Sequence, residues 1–128
     1  MIRVTCAIIK AGNKIFAAQR GPAAQQALKW EFPGGKVEAN ETDEECLKRE
    51  LTEELEMQVR IIRKLPPFTH QYPAFKIELI PFLCLPENEG HSVLEHSGTG
   101  WFTRDQLLQL DWAEADIAVL QYVLKGVL

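Results

Sequence analysis

With 128 residues the chain is long enough to bury one core without disulfides or a structural metal, so a single domain over 1–128 is expected. Its 46% hydrophobic and 25% charged residues exclude a low-complexity or disordered chain. A net charge of -4 argues against a sequence-independent binder of nucleic-acid polymers, which needs a basic face.

Cys6, Cys46 and Cys84 are odd in number and lack metal-site spacing, which fits a reducing cytoplasm better than a disulfide framework. The first residues show no secretory pattern and no run reaches membrane-spanning length, so no membrane partner is expected.

In chain order, Ile2 to Lys10 and Lys14 to Arg20 are rich in β-branched residues around Ala11-Gly12-Asn13 and predict a hairpin. Gly21 to Leu28 reads as a loop. Lys29 to Val37 (KWEFPGGKV) predicts two short strands bent at Pro33, with the Gly34 backbone open to close approach by a ligand. A helix is predicted from Asp43 to Leu55, capped by Thr42 or Asn40, with Thr42-x-x-Glu45 matching a capping box.

Val59 to Phe68 and Phe75 to Leu85 predict two further strands, the second an edge strand or bulged at Pro81. Glu87 to Ser92 reads as a polar loop and Thr99 to Phe102 as a short strand. Thr103 caps a one-to-two-turn helix, and a terminal helix carries Ile117, Leu120, Val123 and Leu124 at core spacing, with Asp116 as its N-cap. The order implies an α+β fold with a mixed sheet between helices.

The stretch from Gly34 to Met57 holds half of the 18 acidic residues. On the predicted helix Glu50, Glu53 and Glu54 share one face, while Leu47, Leu51 and Leu55 form an apolar stripe elsewhere. Stacked like charges repel by roughly 0.2–0.5 kcal/mol per pair on an exposed helix. A hard divalent cation would neutralise them, since Mg²⁺ shares its shell between a few carboxylates and substrate phosphates. A solvated acidic helix fits the composition equally well.

The longer spacing separates these readings. Gly35, five residues, Glu41, seven residues, then Arg49-Glu50-Leu51-Thr52-Glu53-Glu54 resembles the signature of the Nudix hydrolases. The likeness covers almost the whole chain, is strongest to MutT-like and CTP-pyrophosphohydrolase-like members, and extends to WEFPGGKVE and AEADIAVL outside the motif. It implies an α/β/α sandwich. One departure is Glu56, which stands where the motif has Gly near the helix exit.

The resemblance implies Mg²⁺ as cofactor, with Mn²⁺ as substitute, and Glu53 and Glu54 as metal ligands. It makes Glu50 a further ligand or the base that takes the water's proton. The Gly34 carbonyl and Glu95, from the loop six residues before Trp101, complete the metal positions. Arg49 and Glu41 are expected to support the carboxylates, Arg49 sitting four residues after Glu45. Arg20 matches a phosphate-contacting Arg, and Lys36 is a weaker phosphate candidate. None of His70, His91 and His96 shows metal spacing.

For the base, the resemblance points to Asp116, with Tyr72 and Phe75 as stacking candidates. An ionised Asp only accepts hydrogen bonds and suits the cytosine amino group. Protonated by burial, it could also donate to oxidised guanine.

The expected activity is hydrolysis of a nucleoside triphosphate to monophosphate and pyrophosphate, on CTP-type or oxidised nucleotides such as 8-oxo-dGTP, by a monomer or weak homodimer. A diphosphate-linked substrate such as ADP-ribose, or a non-catalytic nucleotide sensor, are the rival readings.

Overall fold

The computed structural model describes residues 1–87 and 96–126. β1 (Ile2–Ala11) and β2 (Lys14–Arg20) form the expected hairpin through Gly12, whose φ of 61° is left-handed. They pair only at Lys10–Ile15 and Ala11–Lys14 and then part. The bent segment fills the opening, with β3 (Trp30–Glu31) antiparallel to β2 and β4 (Gly34–Lys36) antiparallel to β1.

α1 (Asp43–Leu55) occupies the predicted span. The Thr42 hydroxyl accepts from the Glu45 amide at 3.1 Å and the Glu45 carboxylate accepts from the Thr42 amide at 2.8 Å, so both halves of the capping box are present. At the far end Glu56 takes the conformation expected of the motif's Gly, with φ 51°. The Glu56 amide donates to the Thr52 carbonyl at 3.1 Å, the 5→1 bond of an αL exit, and the Met57 amide to the Leu51 carbonyl at 3.2 Å, with Met57 and Leu51 buried in one core. The missing Gly thus leaves the exit unchanged, at a left-handed cost of roughly 1–2 kcal/mol.

The expected strand Val59 to Phe68 is two strands, β5 (Val59–Lys64) and β6 (Phe68–Gln71), because Leu65-Pro66-Pro67 interrupts the ladder. Both lie against β7 (Lys76–Pro86). β7 is not an edge strand: it runs between β1, to which it is parallel, and β5. Pro81 is tolerated there because its carbonyl, bonded by the Leu65 amide at 2.9 Å, faces the gap between β5 and β6. In a strand the N–H of a residue shares that direction, so the donor Pro81 lacks would face the Leu65-Pro66-Pro67 interruption rather than β5 or β6.

β8 (His96–Phe102) pairs with β2, then α2 (Arg104–Leu107) follows, with a second capping box between Thr103 and Gln106. A 3₁₀ turn (Glu114–Asp116) runs directly into α3 (Ile117–Leu124). Asp116 is αR with no side-chain cap bond, so it is not the helix cap its position suggested.

Side chains of β1 alternate between two cores. Ala7 and Ile9 pack with Leu47, Leu51 and Leu55 of α1 on one face; Cys6 and Ile8 join Val119, Leu120 and Val123 of α3 on the other. This is the expected sandwich. The three leucines of α1 are fully buried, worth about 1.5–3 kcal/mol each, which fixes the acidic face outward. Asp43, buried at the helix start, accepts from Arg3 at 2.8 Å and Lys64 at 2.9 Å and ties α1 to β1 and β5.

Candidate active site

The acidic face of α1 is organised by one guanidinium. Arg49 grips Glu41 through two bonds, Nε to Oε2 at 2.7 Å and Nη2 to Oε1 at 3.0 Å. Its Nη1 donates to Glu50 at 2.9 Å and to Glu53 at 3.2 Å, and its Nη2 to the Lys36 carbonyl at 3.1 Å. Glu45, four residues before Arg49, is committed to the capping box. The Arg49 guanidinium holds the Glu41 carboxyl down at about 2, with the bond from the Glu38 amide adding to the effect. One cation therefore offsets the repulsion of the row and links the glycine loop to the helix.

The glycines fit this face closely. A Cβ on Gly35 would overlap the Glu50 carboxylate, and one on Gly34 would overlap the Thr5 carbonyl. Flanking bonds run from the Ala7 amide to the Pro33 carbonyl and from the Val37 amide to the Arg3 carbonyl. Antiparallel pairs alternate between bonded and non-bonded. Cys6–Gly34 is thus a non-bonded pair and Thr5–Gly35 a bonded one, so the Gly34 carbonyl points off the free side of β4. Behind it the Thr5 hydroxyl and Cys46 thiol both donate to the Gly35 carbonyl at 3.4 Å. Sequence reasoning missed both residues; only their small, polar character on otherwise apolar faces marks them.

Glu50, Glu54 and Gly34 open onto a cleft of about 1290 Å³ that also receives Arg20, Tyr72 and Asp116. Glu53 and Arg49 do not line it; Glu53 is more than half exposed at its rim. Glu95 lies outside the described residues. Among the described residues no three His, Cys, Asp or Glu side chains form a ready metal cage. The donors still fit a hard cation, because two carboxylates and a main-chain carbonyl with phosphate oxygens are the set Mg²⁺ uses.

The other end of the cleft is apolar and aromatic, with Phe32, Phe75, Ile77 and Leu79 among its walls. Tyr72 and Phe75 rings lie 5.1 Å apart. Asp116 is buried there, its carboxyl accepting from the Phe32 amide at 2.9 Å. Burial, then the charge of Glu31, push this carboxyl well above the usual carboxylate range, against weaker opposition from the Phe32 bond and Arg20.

Arg20 donates to Glu31 and to the Gln25 carbonyl, each at 2.6 Å. Its charge is felt by Asp116 and Tyr72, which places it toward the base end of the cleft. Glu31 was missed in the sequence; its place beside Phe32 in the bent segment was the signal.

The NUDIX domain model matches residues 4–122. This chain belongs to the Nudix family. The CTP pyrophosphohydrolase of Escherichia coli (strain K12) is 35% identical over 122 residues, 94% of this chain and 90% of that one. The 8-oxo-dGTP diphosphatase of Proteus vulgaris is 44% identical over 71 residues, 56% of this chain and 63% of that one. The solution structure of the E. coli ORF135 protein matches with a TM-score of 0.83 at 32% identity, covering 98% of this chain and 89% of that one. Nudix hydrolases generally need a divalent metal. No helix among the described residues is long and apolar enough to cross a membrane.

Proposed function

We propose that this Nudix protein is a Mg²⁺-dependent pyrophosphohydrolase that converts nucleoside triphosphate and water to nucleoside monophosphate and pyrophosphate, with Mn²⁺ as substitute metal. The observation that carries the reading is one cleft that has Glu50 and Glu54 at one end and Asp116 with Tyr72 at the other. Its volume of about 1290 Å³ suits a nucleotide with room for metal and water.

Mg²⁺ held there would neutralise phosphate oxygens and lower the pKa of the attacking water. Glu54 and the Gly34 carbonyl, which open onto the cleft, would hold it, and Glu53, exposed outside the lining, would join them by turning inward. Glu50, fixed between Arg49 and Gly35, takes the water's proton. Arg49 keeps the carboxylates in register and Lys36 offers positive charge to the phosphates, whereas Arg20, bonded to Glu31 and the Gln25 carbonyl, braces the base end instead.

At the base end a neutral Asp116 offers one O–H donor and one acceptor. That pair complements the N3 and amino edge of cytosine, and also an adjacent N–H and carbonyl on 8-oxoguanine. CTP-type nucleotides rank first in this reading, with 8-oxo-dGTP as the rival substrate. Pyrophosphate release from a nucleotide panel, coupled to pyrophosphatase with and without Mg²⁺, tests it. The expected result is Mg²⁺-dependent turnover of one of these two; no Mg²⁺-dependent turnover across the panel ends the proposal.

A further inference from the structure

The 3₁₀ turn before α3 presents two backbone amides that a helix start leaves without internal partners. Both are taken by cleft-lining side chains from two separate segments of the chain. Gln26, in the turns between β2 and β3, accepts from the Glu114 amide through Oε1 at 3.3 Å. Tyr72, between β6 and β7, accepts from the Ala115 amide through its hydroxyl at 3.3 Å. Strand β6 holds the turn as well, where His70 Nε2 meets the Glu114 carboxylate at 3.3 Å.

The next residue is Asp116, and Gln26, Tyr72, Ala115 and Asp116 all line the cleft. Gln26 itself holds a left-handed φ of 54°, and Leu28 one of 62°. Such backbone persists in a non-glycine residue only where its surroundings fix it. Here the Arg20 guanidinium grips the Gln25 carbonyl and the Gln19 amide group grips the Leu28 carbonyl at 2.9 Å.

We propose that Gln26 and the Tyr72 hydroxyl are positioning residues for base selection: from two separate segments they clamp the two amides ahead of Asp116 and set where its carboxyl meets the base. The inference rests on the reading of Asp116 as the residue that contacts the base edge. The wall contacts and the base-reading carboxyl then act as one unit, so losing a clamp degrades discrimination between bases more than it degrades nucleotide turnover in general.

The test measures kcat/KM for CTP and 8-oxo-dGTP on the full chain with Mg²⁺. Gln26→Met and Tyr72→Phe, which keep bulk and ring, should each lower the ratio between the two nucleotides about fivefold, the worth of one neutral hydrogen bond, with the loss in KM for the preferred base. Gln26→Glu, which keeps the acceptor oxygen, should restore the ratio.

An equal loss for both nucleotides, or a lower melting temperature with an unchanged ratio, marks the clamps as merely structural and overturns the proposal. Asp116→Asn run in parallel separates the failures. An unchanged ratio there removes the base-reading role and this inference with it. A changed ratio there, with Gln26→Met and Tyr72→Phe unchanged, removes this inference alone. Should Tyr72→Phe fail to fold, Gln26→Met, in a turn outside both cores, decides.

Discussion

The two ends of the cleft use carboxyl groups in opposite ways. At the α1 end, Glu41, Glu50 and Glu53 gather around one guanidinium, which holds the Glu41 carboxyl down at about 2. At the other end, Asp116 is buried beside a second carboxylate, Glu31, and is driven toward its neutral form. Pairs of carboxyls pushed apart in this way divide labour: one set suits cations, the other donates and accepts hydrogen bonds like an amide. The first end is local in sequence and the second is assembled from four separated segments.

Removing charge from the first end should cost most. Glu54→Gln is expected to lower kcat by about 10²–10³-fold with the fold retained, as for loss of one electrostatic contact to the reacting group; a near wild-type rate would take Glu54 out of the metal site. Gly35→Ala should cost about 10²-fold, since its Cβ displaces the Glu50 carboxylate and small misplacements are expensive. Steady-state kinetics alongside a thermal melt separates that loss from unfolding.

At the second end, Asp116→Asn should alter the ranking of CTP against 8-oxo-dGTP by about 10-fold, typical of one base-reading contact. Its pH dependence carries a sign. The folded pKa of Asp116 is raised, so its neutral donor is present at low pH and is lost as pH rises through that value, along with the stability the neutral form contributes. Wild-type discrimination should therefore fall with rising pH while that of Asp116→Asn stays flat. Parallel profiles would show that Asp116 does not titrate during base recognition.

Smaller effects test the supports. Glu41 is lowered from 4.5 to about 2, so its contribution is present above 4.5 and lost as pH falls toward 2. Glu41→Gln should melt below wild type at neutral pH, and the gap should close near pH 2; a constant gap would deny the Arg49 pairing. Glu56→Gly, which relieves left-handed strain, should stabilise by roughly 0.5–1 kcal/mol in urea unfolding, and no gain would mean that the left-handed exit carries no strain.

The limits of α1, its cap and its buried stripe were legible because all three are local patterns of period and position. The hairpin and the bend at Pro33 were readable for the same reason. The split of β5 from β6 was missed although Pro66-Pro67 announced it, since alternation outweighed punctuation. That Arg49 binds Glu41, Glu50 and Glu53 rather than Glu45, four residues before it, is not visible in spacing alone, because the capping box claims Glu45. The burial of Asp116, its Phe32 contact and the roles of Glu31 and Gln26 depend on residues far apart in the chain, and no local pattern reports them.

β1 touches every part of this arrangement. It holds Gly35 through Thr5, floors the cleft with Cys6, and pairs with β7 without a break from Ile2–Ile77 to Ile9–Cys84. The strand is in effect the molecule's ruler. A slip of one residue would move it about 3.3 Å and exchange its two faces. On the proposed reading, the span between Asp116 and the acidic helix, and so which phosphate meets the glutamates, is set by the register of a strand whose own charge, Arg3, goes to anchoring the helix start.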